Sequence, residues 1–295
     1  MDNFITACKE GNLELVKNLI KDFDLDVNKK DNVGNTGFHY ACQFGHLPIV
    51  EYCIKNTNLN VNIQDKYGKT GFHLACMKGR LELVKNLIKN TSLDINIQNK
   101  NGNTGFHLAC QYGHITIVEY CIKNTNLDLN IQNNYGWTGL HYACLNGHLA
   151  IVEYYIKNTN LDLNIQNNHG ETGFHLACLY GHLAIIKILI KDACLNLNTQ
   201  NIYGWTGFHY ACFIGNISLI SLFLTSNRKI NLNLQSIQKY FEYPISTSGY
   251  DILKDKNINI DVIKEKISKN KQLIFYAADG NLLELKKLLK FKKLI

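Results

Sequence analysis

The chain has 295 residues, 46% of them hydrophobic, and its 31 basic residues against 24 acidic ones give a formal charge of +7. Mean hydropathy is −0.15, and no apolar run approaches the ~18 residues that a spanning helix needs, which leaves no candidate for a membrane-spanning helix. The charge is concentrated, since residues 236–295 hold 12 lysines against 7 acids, so the rest of the chain is close to neutral and lacks the basic balance of a nucleic-acid binder.

In chain order, the opening Met1-Asp2-Asn3-Phe4-Ile5 has neither the basic flank nor the apolar core of a secretory leader, which points to the cytoplasm. The stretch Thr36-Gly37-Phe38-His39-Tyr40-Ala41-Cys42 then returns, nearly unchanged, from Thr70, Thr104, Thr138, Thr172 and Thr206, a step of 34 residues each time. A fixed period of this size marks stacked supersecondary units, none of which buries its apolar face alone. The phase predicts an N-terminal capping half-repeat at 1–27, with Ala7-Cys8 and Gly11 in register. Six repeats follow at 28–61, 62–95, 96–129, 130–163, 164–197 and 198–235. After Ser236 the phase is lost, and 236–295 reads as degenerate helical repeats and a C-terminal cap, with a helix pair predicted over Ile274–Leu289.

One repeat shows the plan. In residues 130–163, Asn133 and Gly136 bracket a four-residue turn, and the same pair recurs as Asp31/Gly34, Asp65/Gly68, Asn99/Gly102, Asn167/Gly170 and Asn201/Gly204. Thr138 is placed to cap a short helix whose apolar positions are Leu140, Ala143 and Cys144. Gly147 ends it. A second helix carries Leu149, Ile151, Val152, Tyr155 and Ile156 inward and turns Glu153 and Lys157 to water. In the return, the alternation Leu161, Leu163, Ile165 predicts short extended segments.

Asn133, Gly136, Thr138, Leu140, His141, Ala143, Cys144, Gly147 and His148 stand where the ankyrin-repeat signature has its fixed residues, and the chain resembles that family over about residues 1–235. The resemblance implies an all-α repeat solenoid, an ankyrin-type helix-turn-helix stack with short β-hairpin-like turns. It also implies a surface that binds proteins and no catalysis. One departure is systematic: Gly37, Gly71, Gly105, Gly139, Gly173 and Gly207 replace the family's proline. Proline presets a helix start and glycine has more freedom to lose, so each slot costs about 0.5–1 kcal/mol, and glycine-to-proline changes are expected to stabilise. The wealth of Asn, Ile, Lys and Tyr is similar to that of tandem ankyrin proteins from giant DNA viruses and other AT-rich genomes, which implies action in a host cytosol.

The ten cysteines argue against a disulfide framework. Cys8, Cys42, Cys76, Cys110, Cys144, Cys178 and Cys212 recur once per repeat. Neighbouring helices sit about 8–10 Å apart and a disulfide needs Cα atoms within about 7 Å, so these read as buried thiols in a reducing compartment. His-x-x-Cys, from His39/Cys42 to His209/Cys212, places a soft-metal donor pair on one helix face. A pair copied identically through a scaffold reads as packing, so neither a metal nor a cofactor is expected. No nucleophile elbow, phosphate-binding loop or HExxH is present. The basic run Lys286–Lys293 reads as a solvated end helix rather than a nucleic-acid or lipid contact.

Slots that vary between copies are free to serve a partner. Lysines gather there in the second and third repeats, and aromatics in the fourth to sixth. The predicted contact is therefore Tyr135, Trp137, Tyr180, Tyr203, Trp205 and Phe213, exposed as at protein-binding hot spots, with Lys66, Lys69 and Lys78 steering acidic segments of a host or cellular protein. A monomeric, non-catalytic interaction scaffold that binds a partner protein through the concave groove and hairpin tips of the stack is the expected function. The alternatives are a structural spacer, a self-associating array, or an adaptor contacting lipid or nucleic acid through the basic C-terminus.

Overall fold

The computed structural model describes residues 2–22, 25–214 and 216–230, which hold fourteen helices and no strand. The predicted cap at 236–295 and the run Lys286–Lys293 lie outside the described residues. The chain divides into two units, Met1–Leu161 and Asp162–Ile295.

The first unit holds five helix pairs: α1 (Asp2–Glu10) with α2 (Leu13–Asp22), α3 (Gly37–Phe44) with α4 (Leu47–Asn56), α5 (Gly71–Met77) with α6 (Leu81–Asn90), α7 (Gly105–Gln111) with α8 (Ile115–Asn124), and α9 (Gly139–Asn146) with α10 (Leu149–Asn158). The first helices α1, α3, α5, α7 and α9 pack each on the next, and the second helices do the same behind them. In the second unit α11 (Gly173–Leu179) with α12 (Leu183–Lys191) stacks in the same way on α13 (Gly207–Phe213) with α14 (Ile217–Thr225).

The turn before each first helix is closed as its residues require. Asp31 accepts at its carbonyl from Gly34 N at 3.0 Å, and its Oδ1 accepts from the backbone of Val33 and Asn35, both at 2.9 Å. Gly34 sits at φ +83°, where a side chain is strained, and a Cβ there would lie 2.6 Å from Lys66 N of the next turn. The tips are laced together by backbone bonds from Lys66 N to Val33 O (3.3 Å), Lys100 N to Tyr67 O (2.9 Å) and Asn134 N to Asn101 O (3.1 Å). The predicted extended segments of the return are not strands. The physical reason is local: Asn28 N bonds Asp26 Oδ1, Asn62 N bonds Asn60 Oδ1 and Asn130 N bonds Asp128 Oδ1, each near 2.9–3.0 Å. These side chains bend the chain where ladder pairing would have to run.

The Thr-x-x-His element explains the helix starts and the constancy of the histidine. In α5, Thr70 N donates to His73 Nδ1 at 3.2 Å, and the threonine hydroxyl lies 2.9 Å from the same nitrogen. The other ring nitrogen lies 2.9 Å from the Asn103 carbonyl of the next repeat. A carbonyl can only accept, so Nε2 carries the proton and Nδ1 receives. The imidazole is thus neutral, closing a capping box and riveting one repeat to the next. His39 to Lys69 O (3.1 Å), His107 to Trp137 O (3.0 Å) and His175 to Trp205 O (3.0 Å) repeat the contact.

The expectation that proline would stabilise the helix-start glycines is overturned. A Cβ on Gly71 would lie 2.5 Å from Phe38 Cε1 and 2.8 Å from Cys42 Sγ, and one on Gly105 would lie 2.5 Å from Phe72 Cδ1. At Gly37, Gly71, Gly105 and Gly207 the phenylalanine one unit earlier, Phe4, Phe38, Phe72 or Phe174, fills the volume that a proline ring would need, and at Gly139 the nearest atom is Tyr155 Oη. Glycine and phenylalanine are a matched pair, and their interlock, not backbone freedom, decides the sign of a substitution.

Candidate functional site

The cysteines and histidines that could have carried chemistry are committed to packing. Cys8, Cys42, Cys53, Cys76, Cys110, Cys121, Cys144 and Cys178 are buried free thiols, and burial pushes Cys53, Cys110 and Cys121 up to about 12, which makes them poor nucleophiles. Both ring nitrogens of His39, His73, His107 and His175 already have partners, and burial first of all lowers their proton affinity, to about 4 for His73 and His107. Among the described residues no group of three or more His, Cys, Asp or Glu side chains could hold a metal ion, and no helix is long and apolar enough to cross a membrane.

The histidines after the interhelix glycine form a second set of rivets. His46 Nε2 meets Lys9 O at 3.0 Å, His114 meets Met77 O at 3.1 Å and His148 meets Gln111 O at 2.9 Å. Each satisfies a carbonyl that the end of the preceding repeat's first helix would otherwise leave open. Arg80 stands in this slot in the second repeat and donates to Gln43 O at 3.4 Å.

The turn tips and first-helix ends of each unit carry exposed side chains in the slots that vary between copies. In the first unit Tyr135 is 57% exposed at its tip. Trp137, two residues on, is half-buried, its ring 5.1 Å from Tyr142. Beneath it Tyr142 Oη donates to Asn103 Oδ1 at 3.1 Å, and Asn133 Nδ2 donates to both at 3.0 and 2.7 Å. Lys66 and Lys78 are exposed and Lys69 is half-buried, its Nζ 5.9 Å from the centre of the Tyr67 ring.

In the second unit Tyr203 is 41% exposed at its tip, whereas Trp205 is only 8% exposed. This corrects the expectation that Trp205 is a surface anchor. Its ring is wedged against Tyr210 and Phe213, each with centroids 5.2 Å away, so it supports the tip from beneath. Phe213 is accordingly half-buried, its ring against Trp205. Tyr180 is also half-buried and stacks on His182, and burial together with the nearby Glu171 carboxylate pushes its phenol up to about 12. Glu171 itself is buried, accepting from Tyr210 Oη at 2.6 Å and from Asn167 Nδ2 at 3.1 Å.

Sequence reasoning passed over Tyr67 and Tyr112, 62% and 51% exposed, and the exposed Lys100. Their signal was available, because all three occupy varying slots. The weight given to tryptophan hid them.

A family model described as ankyrin repeats (3 copies) matches residues 4–99, 72–167 and 151–236. No curated protein matches the chain in sequence comparison.

Proposed function

Because the chain belongs to the ankyrin-repeat family, whose repeats are generally protein-binding modules, we propose that it is a non-catalytic scaffold that binds a partner protein through its turn tips and the adjoining ends of its first helices. The observation that carries this reading is the gathering of exposed large apolar side chains at those positions, Val33, Phe44, Tyr67, Tyr112, Tyr135, Ile202 and Tyr203, against Leu15 alone on a second helix among the described residues. Large aromatics left in water at repeated, backbone-anchored positions suit hot spots of an interface. Trp137 in the first unit and Tyr180 and Phe213 in the second are half-buried in varying slots of the same kind, and Lys66, Lys69 and Lys78 add positive charge that speeds encounter with an acidic partner. The place of action is a cytosol, and the working form is a monomer.

Proximity labelling in the native cell tests this, comparing the chain with a Tyr135→Ala/Tyr203→Ala variant whose fold is verified by circular dichroism. Loss of a specific labelled protein in the variant is the expected result. An unchanged set of neighbours overturns the surface assignment. Sedimentation velocity at several concentrations, with a sedimentation coefficient that does not rise, separates the scaffold from a self-associating array.

A further inference from the structure

We propose that the tips of the second and third repeats form a docking strip for an extended acidic segment of a partner protein, one with carboxylates three residues apart and an apolar residue between them. The proposal rests on the protein-binding reading above and names the chemistry of the segment that would occupy one part of that surface.

Lys66 and Lys100 hold the same tip slot in successive repeats, and both are exposed. Their backbones are fixed by the inter-tip bonds, Lys66 N to Val33 O at 3.3 Å and Lys100 N to Tyr67 O at 2.9 Å. Stacked helices stand about 8–10 Å apart, so the two lysines are set at about that interval. A peptide in the extended polyproline II form advances about 3.1 Å per residue with three residues per turn, which sets carboxylates at positions i and i+3 on one face, about 9 Å apart, opposite successive lysines. Tyr67 lies between the two lysines along the line of tips and presents an apolar face, with Lys69 Nζ 5.9 Å from its ring centre. Lys78 at the end of α5 and Tyr112 at the end of α7 continue the same alternation of charge and aromatic surface.

Among the described residues no carboxylate forms an ion pair with Lys66, Lys69, Lys78 or Lys100. The ion pairs among the described residues, Lys17–Glu14, Lys85–Glu82, Lys123–Glu119 and Lys157–Glu153, all lie on second helices. Asp65 Oδ1 is taken by the backbone of Tyr67 at 2.8 Å and Lys69 at 2.7 Å. In the third repeat the same slot is Asn99, which is buried and uncharged.

Charge also selects the occupant. Residues 236–295 carry 12 lysines against 7 acids, so the chain's own C-terminal stretch is repelled, and a second copy would set lysine strip against lysine strip. Nucleic acid is the other polyanion, but four lysines fall short of the roughly 6–10 phosphate contacts of a salt-sensitive binder. Arg80, the arginine of this unit, is directed at the Gln43 carbonyl, and it is arginine that suits bidentate phosphate contact.

The test is a displayed random 12-residue peptide library selected on the intact chain. Enriched peptides are then titrated by fluorescence anisotropy against the chain, Lys66→Glu/Lys100→Glu, Lys66→Ala/Lys100→Ala and Tyr135→Ala/Tyr203→Ala. Enrichment of Asp or Glu at i and i+3, binding about tenfold weaker in the lysine variants and unchanged in the tyrosine variant, is the expected result. Neutral or basic binders, binding indifferent to both lysine variants, or tighter binding of a uridine 12-mer than of the selected peptides overturns the proposal. In the first two cases, loss of binding in Tyr135→Ala/Tyr203→Ala leaves the broader reading standing, and retention there removes that as well.

Discussion

The histidine rivets make the stack sensitive to mild acid, and the size of the effect follows from their burial. His73 and His107 are held to about 4, against 6.5 for an ordinary imidazole, because desolvation penalises the charged ring more than their carbonyl partners favour it. A histidine lowered by folding adds stability that is complete above its unfolded value and is lost as pH falls from about 6.5 towards 4. Between pH 7 and pH 5 the unfolded chain gains protons that the folded chain refuses, so each of these two histidines removes about 2 kcal/mol. Together they remove about 4 kcal/mol, a large share of a typical folding free energy. His39 and His175, lowered in the same direction by burial, add to the loss. The window is chosen to lie above the carboxylate range, so that acidic side chains stay ionised in both states. The assay is urea unfolding followed at 222 nm at pH 7 and pH 5 at fixed ionic strength, on the native chain and on His73→Gln/His107→Gln. Glutamine at this position can still close a capping box, but it does not titrate and leaves the Asn103 and Trp137 carbonyls without their imidazole donors. The variant should be less stable at pH 7, by about 1–3 kcal/mol for each carbonyl left open, and should lose about 4 kcal/mol less than the native chain on going to pH 5. Equal pH dependence in the two proteins, or no loss in the native chain, refutes the assignment of these rings as buried and neutral.

Gly105→Ala should destabilise by about 1–3 kcal/mol, because its Cβ would lie 2.5 Å from Phe72; thermal melts of Gly105→Ala, Phe72→Leu and the double variant should show the leucine recovering part of the loss. Trp205→Ala should cost about 3–5 kcal/mol through a cavity under the tip, while Tyr203→Ala, at an exposed position, should stay within about 0.5 kcal/mol of the parent, both read by urea midpoints. Iodoacetamide treatment of the native chain followed by peptide mass mapping should modify Cys194, which is exposed, and leave Cys8, Cys42, Cys53, Cys76, Cys110, Cys121, Cys144 and Cys178 unmodified.

The helix pairs, their capping threonines and the packing role of the repeating cysteines were legible in the sequence, because each depends on contacts that recur identically in every copy. Extended return segments were wrongly expected, since an apolar alternation does not show that Asp26, Asn60 and Asp128 turn their side chains back on the chain two residues later. The proline argument failed for a related reason. It weighed backbone entropy at one residue, while the decisive contact, Phe38 over Gly71, joins residues 33 positions apart.

The misplacement of Trp205 reveals how variation is organised in such a stack. Trp137 occurs with Tyr142, Asn133 and Asn103, and the four form one packed, hydrogen-bonded set. Two repeats later Trp205 occurs with Tyr210, Asn201 and Glu171, which repeat the arrangement with Tyr210 Oη 2.6 Å from a carboxylate instead of an amide. Residues that vary between copies therefore vary partly in concert, because a tryptophan in one turn needs a tyrosine beneath it and a polar acceptor in the turn before. A varying slot is evidence of a free surface only after such sets are subtracted. Once they are, the exposed positions that remain include Lys66, Tyr67, Lys100, Tyr112, Tyr135 and Tyr203, whose backbones stay fixed in the turns and first helices. Substitution at these six should alter partner choice with little effect on stability, whereas substitution within either tryptophan set should alter stability first.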